Sequence, residues 1–303
     1  MSFGNITMFA ISACLGLAAC QNPSAPVSAT QTANLPPADT FQVMSFNLRL
    51  ATATDGENAW PQRKEDVIAL IGDQQVDILG VQEALPEQMH DLQQGLSNSG
   101  YLALGVGRDP DNQGEFSAIF YATATLELRA GETFWLSPTP QVPSKGWDAA
   151  LNRICTWGKF RVRSTGREFL VFNTHFDHIG EEARRQSAQL ILDKISESNP
   201  EQLPVILSGD FNLTDNETPI GIISAQMQDS FYHSQTAHQG PVGTFQDFDT
   251  SARDLDRIDY IFTSGFDVRS HRHIDDRRKS DPARYPSDHF PVLAELQFSA
   301  QQQ

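Results

Sequence analysis

Short apolar runs and amphipathic stretches alternate along this chain from about residue 40 onward. Phe41–Leu48, Val76–Val81, Phe116–Tyr121, Phe169–Thr174, Val205–Ser208, Asp259–Phe262 and Val292–Phe298 are strand-length runs rich in aliphatic and aromatic residues, and they read as strands. Arg63–Gln74 carries Val67, Ile68, Leu70 and Ile71 at helical spacing, Glu87–Ser97 is a second helix, and Glu181–Glu197 is the longest. There is no internal repeat. Two packed sheets flanked by helices fit this mixture, and so does a doubly wound sheet; propensity leaves both open.

The first part of the chain follows another pattern. Residues 1–38 hold no charged side chain, and Ile6–Ala19 is an apolar stretch too short to span a membrane but suited to the core of a signal peptide. Leu17-Ala18-Ala19-Cys20 resembles the bacterial lipobox, in which cleavage precedes a cysteine that then carries lipid, although no Lys or Arg precedes the apolar run. Cleavage after Ala19 without lipidation is the plainer alternative. Gln21–Ala38, rich in Pro, Ala, Ser, Thr and Gln, cannot bury enough apolar surface to order itself and reads as a tether. The expected organisation is a signal segment over 1–19, a lipidated Cys20 with its linker over 20–39, a folded domain over 40–298 and a tail over 299–303. Export follows, to the periplasm or outer membrane if the anchor is used and otherwise to the periplasm or medium.

Composition adds two limits. Three cysteines, two of them in the N-terminal segment, leave Cys155 alone, so no disulfide framework holds the domain and Cys155 reads as a packing residue. A net charge of −16 disfavours tight, sequence-independent binding to a polyanion.

Candidate chemistry sits at the ends of the hydrophobic runs. Phe46-Asn47, Gln82-Glu83, Gly209-Asp210-Phe211-Asn212 and Ser287-Asp288-His289 each put Asn, Asp, Glu or His just past a strand. Apart from the histidine these are hard oxygen donors, which suit Mg²⁺ or Mn²⁺ rather than zinc. Asp210 and Asn212 lie two apart on an extended strand end and so point to the same side. There the aspartate can orient a water and the amide can donate to a phosphoryl oxygen, although Asp-x-Asn is equally a turn with side-chain caps. His289 is the candidate general base, because an imidazole titrates near neutral pH. Arg153 is a candidate phosphate clamp through its planar fork, or else a partner in an internal salt bridge. Asp177 and His178 can cap the helix that follows, and His90, His233 and His238 read as solvent-facing.

Taken in order, Ser45-Phe46-Asn47-Leu48-Arg49, Gln82-Glu83, Asn173-Thr174-His175-Phe176-Asp177, Ser208-Gly209-Asp210-Phe211-Asn212, Arg257-Ile258-Asp259-Tyr260-Ile261-Phe262 and Ser287-Asp288-His289-Phe290-Pro291 resemble the ordered motifs of the endonuclease/exonuclease/phosphatase superfamily over about residues 41–298. Asn58-Ala59-Trp60-Pro61-Gln62-Arg63 and Lys145-Gly146-Trp147-Asp148 are similar to marks of an uncharacterised bacterial branch of metal-dependent hydrolases within it. The resemblance implies a four-layer α/β sandwich, two mixed β-sheets packed face to face between helices, with the site at the sheet edges. It implies Asn47 and Glu83 as metal ligands with Asp288 near the same ion or a second one, Asp259 as the partner of His289, and His175 as a phosphate contact.

The expected activity is hydrolysis of a phosphate ester, as a phosphatase or phosphodiesterase assisted by Mg²⁺ or Mn²⁺. Small or surface-exposed esters such as sugar phosphates, phospholipid head groups or glycan phosphodiesters lead. An extracytoplasmic nuclease acting on DNA or RNA is the alternative, for which Arg269–Arg284 offers a local basic stretch offset by Asp275, Asp276 and Asp281. A non-catalytic binding module on the same fold is a third reading, opposed by the intact set of motifs.

Overall fold

The computed structural model describes residues 40–300. The expected signal segment, Cys20 and the linker up to residue 39 lie outside the described residues, as do residues 301–303 of the tail. In chain order the elements are β1 (Thr40–Asn47), α1 (Trp60–Gln74), β2 (Ile78–Gln82), α2 (Pro86–Leu96), β3 (Tyr101–Leu104), β4 (Gly107–Asp109), β5 (Gln113–Phe116), β6 (Ile119–Ala122), β7 (Leu126–Trp135), β8 (Ile154–Val162), β9 (Glu168–His175), α3 (Glu181–Ser198), β10 (Val205–Asp210), α4 (Thr218–Ser224), β11 (Gln228–Asp229), α5 (Ser230–His233), β12 (Asp259–Ser264), β13 (Phe266–His273) and β14 (Val292–Phe298). Among the described residues no helix is long and apolar enough to cross a membrane.

The strands form two sheets, ordered β13-β14-β1-β2-β6-β3 and β11-β12-β10-β9-β8-β7, with β4 and β5 as a separate hairpin. Each sheet is built around one parallel pair, β1 with β2 and β9 with β10, and is antiparallel elsewhere. Side-chain alternation then sorts the apolar residues into layers. Phe41, Val43, Ile78, Val171, Ile206 and Ile261 meet between the sheets, whereas Met44, Phe46, Leu79 and Val81 face α1 and α2, and Phe172, Leu207, Tyr260 and Phe262 face α3 and α4. This is the four-layer α/β sandwich expected.

Along the inward-facing rows the chemistry changes with position. Phe41 and Val43 lead to Ser45 and Asn47, Ile78 to Gly80 and Gln82, Val171 to Asn173 and His175, and Ile206 to Ser208 and Asp210. The middle of each row is a buried polar seam. Asn173 Nδ2 donates across to the Val81 and Ala118 carbonyls at 2.9 Å each, and Gln82 Nε2 donates to Asn173 Oδ1 at 2.7 Å. Gly80 is needed at this crossing, since a Cβ there would stand 2.5 Å from Asn173 Oδ1. Each parallel pair ends its two strands at the same edge, and there the rows become a polar rim.

Three parts of the sequence reading need correction. The run Phe116–Tyr121 is two strands, because Phe116 folds back onto the β4 hairpin while Ile119 pairs with β2. The basic stretch Arg269–Arg284 is not one free patch, since Arg269 and Arg272 belong to β13. Elsewhere in the same basic stretch, Arg278 donates to the Glu57 and Tyr285 carbonyls, Lys279 pairs with Asp73, and Arg284 pairs with Glu57 and Asp281, so these cations are engaged internally. Finally, His238 is half-buried against His271 and His273 and does not simply face solvent. Cys155 is fully buried, and burial pushes its thiol well above the ordinary range, which leaves it inert.

Candidate active site

The rim draws one residue or more from each central strand. Asn47 closes β1, Glu83 follows β2, His175 closes β9, Asp210 closes β10, and Asp259 opens β12 directly opposite Asp210 in register. His289 precedes β14, the antiparallel neighbour of β1. Gly209 lets β9 and β10 run together to the edge, because a Cβ there would lie 2.2 Å from the Thr174 carbonyl oxygen. Arg49, Glu83 and Asn212 hold left-handed backbone (φ 56°, 60° and 51°), a conformation that costs energy for non-glycine residues and clusters at functional sites.

A continuous chain of contacts links the two sheets. Asn47 Nδ2 donates to Glu83 Oε1 at 3.0 Å and to Asp210 Oδ2 at 2.8 Å. Asp210 Oδ2 lies 3.8 Å from His289 Nε2, and His289 Nδ1 donates to Asp259 Oδ2 at 2.8 Å. Thr244 Oγ1 receives the Ile258 and Asp259 amides at 3.0 and 3.1 Å and so seats Asp259. Burial opposes charge on His289, but Asp259, with Asp210 and Asp288 beyond it, holds the imidazole well above its ordinary value. Burial and the neighbouring Asp259 raise Asp210 to about 7.

Around Asn212 the contacts define a second wall. The Asp210 carboxylate accepts the Asn212 amide N–H at 2.9 Å, and Asn212 Nδ2 donates to the Phe176 carbonyl and to His175 Nε2, each at 3.0 Å. His175 is buried beside Arg153 and Arg108, which keeps it well below its ordinary pKa and neutral, with its proton on Nδ1. That nitrogen and Arg153 Nη1 are buried without hydrogen-bond partners, 3.7 and 3.9 Å from Glu115 Oε2. Two donors without hydrogen-bond partners on a rim have the polarity that a phosphoryl oxygen needs.

Arg153 is also an ion-pair member, as its plainer reading holds. Its Nε lies 3.4 Å from Asp177 Oδ2, while Asp177 Oδ1 accepts the Ile179 and Gly180 amides at 3.0 and 2.8 Å, capping the turn into α3. Asp288 sits opposite, its carboxylate 3.8 Å from Arg49 Nε. Burial pushes it up to about 6 against the pull of His289. Sequence reasoning missed Glu115 and Arg108, which pair at 2.7 Å. They lie on the β4–β5 hairpin, where no apolar period marks a strand end.

The donor set fits a hard divalent cation. Glu83, His175 and Asp210 offer ligand atoms within 4.8 Å of one another, as do Asp210, Asp259 and His289. Asp259 Oδ1 is buried without a partner. Carboxylate and amide oxygens dominate, the preference of Mg²⁺ and Mn²⁺.

The family model described as Endonuclease/Exonuclease/phosphatase family matches residues 44–289. The crystal structure of an endonuclease/exonuclease/phosphatase family protein from Bacteroides thetaiotaomicron is similar with a TM-score of 0.81 at 40% identity, over 86% of this chain and 98% of that one. A mannosyl-6-phosphatase from Bacteroides thetaiotaomicron VPI-5482 gives 0.80 at 40% identity, over 85% of this chain and 100% of its own. An uncharacterized protein of Acanthamoeba polyphaga mimivirus is 31% identical over 167 residues, 52% of this chain, and the match spans only 60% of that relative's length.

Proposed function

The chain belongs to the endonuclease/exonuclease/phosphatase family, and from that premise we propose that it is a Mg²⁺- or Mn²⁺-dependent hydrolase of small phosphate esters, with sugar phosphates as the leading class. The observation that carries this reading is the unbroken contact chain Glu83–Asn47–Asp210–His289–Asp259 across both sheet edges. A sugar phosphate is favoured because a mannosyl-6-phosphatase is 40% identical over its whole length. Nucleic acid is disfavoured by the net charge of −16 and by the internal pairing of Arg278, Lys279 and Arg284.

In this reading Glu83 and Asn47 hold the cation, with Asp288 facing them from the β14 side. When bound, the ion neutralises phosphoryl charge and eases departure of the leaving oxygen. The residues divide the remaining work. Sequence reasoning gave the proton of the attacking water to His289. The surroundings favour a different division, since three carboxylates hold His289 as the imidazolium while Asp210, raised to about 7, is matched to accept a proton near neutral pH. His289, fixed through Nδ1 by Asp259, then donates from Nε2 to a phosphoryl oxygen, and Asn212, His175 and Arg153 orient the ester.

Location is part of the proposal. Residues 1–38, free of charge and ending in a polar tether, support export, and Cys20 supports a lipid anchor that holds the domain at a membrane. A substrate panel tests the reading: mannose 6-phosphate, glucose 6-phosphate, a phospholipid, RNA and plasmid DNA incubated with Mg²⁺ or Mn²⁺. Release of inorganic phosphate from the sugar esters is expected to be fastest. Faster cleavage of plasmid or RNA than of any small ester would overturn the substrate assignment.

A further inference from the structure

Away from the rim, three histidines meet where the edge of the first sheet faces α5. His271 and His273 lie on β13 opposite Ala294 and Val292, which belong to the core between the sheets. Residues directly opposite on paired strands share a face, so both imidazoles point inward. The β-bulge between Val268 and Ser270 puts them there. Val268 also faces the inner core, and the extra residue switches the inward set from even to odd positions. His238 joins from the segment after α5, and the three side chains offer ligand nitrogens within 4.8 Å of one another.

The neighbours fix where the protons sit. The Pro241 carbonyl accepts from His273 Nδ1 at 2.7 Å and from His238 Nε2 at 2.9 Å. A carbonyl cannot donate, so both of those nitrogens carry hydrogen, and the neutral rings leave lone pairs on His273 Nε2 and His238 Nδ1. His271 Nε2 lies 3.1 Å from His273 Nε2, and His271 Nδ1 lies 2.9 Å from the Ser230 hydroxyl, which can donate or accept. His271 can therefore turn a lone pair on Nε2 toward the same point. Two imidazole nitrogens on one tetrahedral zinc, with bonds of 2.0–2.1 Å, stand about 3.3 Å apart. The His271–His273 pair is within a few tenths of that spacing.

A buried cluster held only by hydrogen bonds accounts for the His271–His273 contact. It leaves His238 Nδ1 unexplained, because that atom is buried with a free lone pair and no donor.

We propose that His238, His271 and His273 form a second metal site, one for zinc or a similar divalent transition ion, with the fourth position left to water. The Pro241 carbonyl and Ser230 hydroxyl orient the rings, the usual task of groups behind metal-bound imidazoles. Three imidazoles select this class of ion over Mg²⁺, so the site is chemically separate from the oxygen-rich rim. Its effect is structural. Bound metal fastens His238 to β13, and the segment from His238 leads to Thr244, which seats Asp259 through its hydroxyl and receives the Phe290 amide on its carbonyl at 2.7 Å.

Cobalt titration tests the site. The full chain is stripped with chelator and titrated with Co²⁺ in excess Mg²⁺, with visible absorption as the readout. One equivalent is expected to give the intense bands of four-coordinate cobalt and to be displaced by Zn²⁺. Glu83→Gln should keep the bands, whereas His238→Ala and His271→Ala, with folding checked by circular dichroism, should lose them. Should His271→Ala fail to fold, His238→Ala alone decides, since it alters only the loop ligand. Absence of these bands in wild type, or undiminished bands in folded His238→Ala, would overturn the proposal.

Discussion

Arg63 lies fully buried beneath the rim, and its guanidinium donates to the carbonyls of Leu48, Arg49, Asn58 and Pro286. The Leu48 and Arg49 carbonyls follow Asn47 and the Pro286 carbonyl precedes Ser287-Asp288-His289, so one side chain sets the spacing between the two parts of the site. Burial lowers its pKa to about 10, which leaves it charged at neutral pH. The His289–Asp259 pair is the sharper subject for mutation. His289→Ala should lower kcat by roughly 10²–10⁴-fold with the fold intact, and Asp259→Asn should fall with it. Because the two act as one unit, the double mutant should be little worse than His289→Ala. Measurement of kcat for all four proteins checks this, and strictly multiplicative losses would show that the pair is uncoupled. At this scale the sequence was informative wherever a polar residue ended an apolar run, as at Asn47, His175 and Asp210. Sequence reasoning missed Glu115 and read His289 as the base from the ordinary imidazole range, because the surroundings of both depend on side chains brought in from other elements.

Among the elements, the inward row of β2 carries the clearest constraint. Its Gly80 sits where the two sheets approach through the Asn173 seam. Gly80→Ala should cost about 1–3 kcal/mol, as overpacking of a tight interior does, and urea unfolding should report it as a lower midpoint with unchanged slope. An unchanged midpoint would mean that the seam yields without cost. Strands such as β14 were legible because their apolar residues fill a core. β7 and β13 were not. Leu126–Trp135 is exposed through its middle and shifts register between Leu128 and Ala130, while Phe266–His273 carries Asp, Arg and His at an edge and bulges after Val268. Period-two patterning fails where a bulge resets the face. The motif Lys145–Asp148 likewise has a structural use, since Asp148 accepts the Glu182 and Ala183 amides and caps α3.

For the molecule as a whole, charge bears on what it meets. A net charge of −16 suits small anions concentrated by a few buried donors better than a long polyanion. If Cys20 carries lipid, Cys20→Ala should release the protein from the membrane fraction, and identical fractionation of wild type and mutant would exclude the anchor as the cause. The fold class was within reach of the sequence because six strand-end motifs occur in order, whereas the substrate was not, because recognition of an ester lies in loops without a periodic pattern. We propose that the joined sheet edges form an oxygen-rich cation site that drives phosphate-ester hydrolysis. The most direct measurement of this is the initial rate of chelator-stripped protein on the best ester of the panel as Mg²⁺ or Mn²⁺ is added back. No turnover is expected in EDTA, full turnover on restoring the ion, and for Glu83→Gln a need for about tenfold more metal or greater, since loss of a ligand costs no less than the loss of a group that supports one. Undiminished hydrolysis by the metal-free protein would contradict the account.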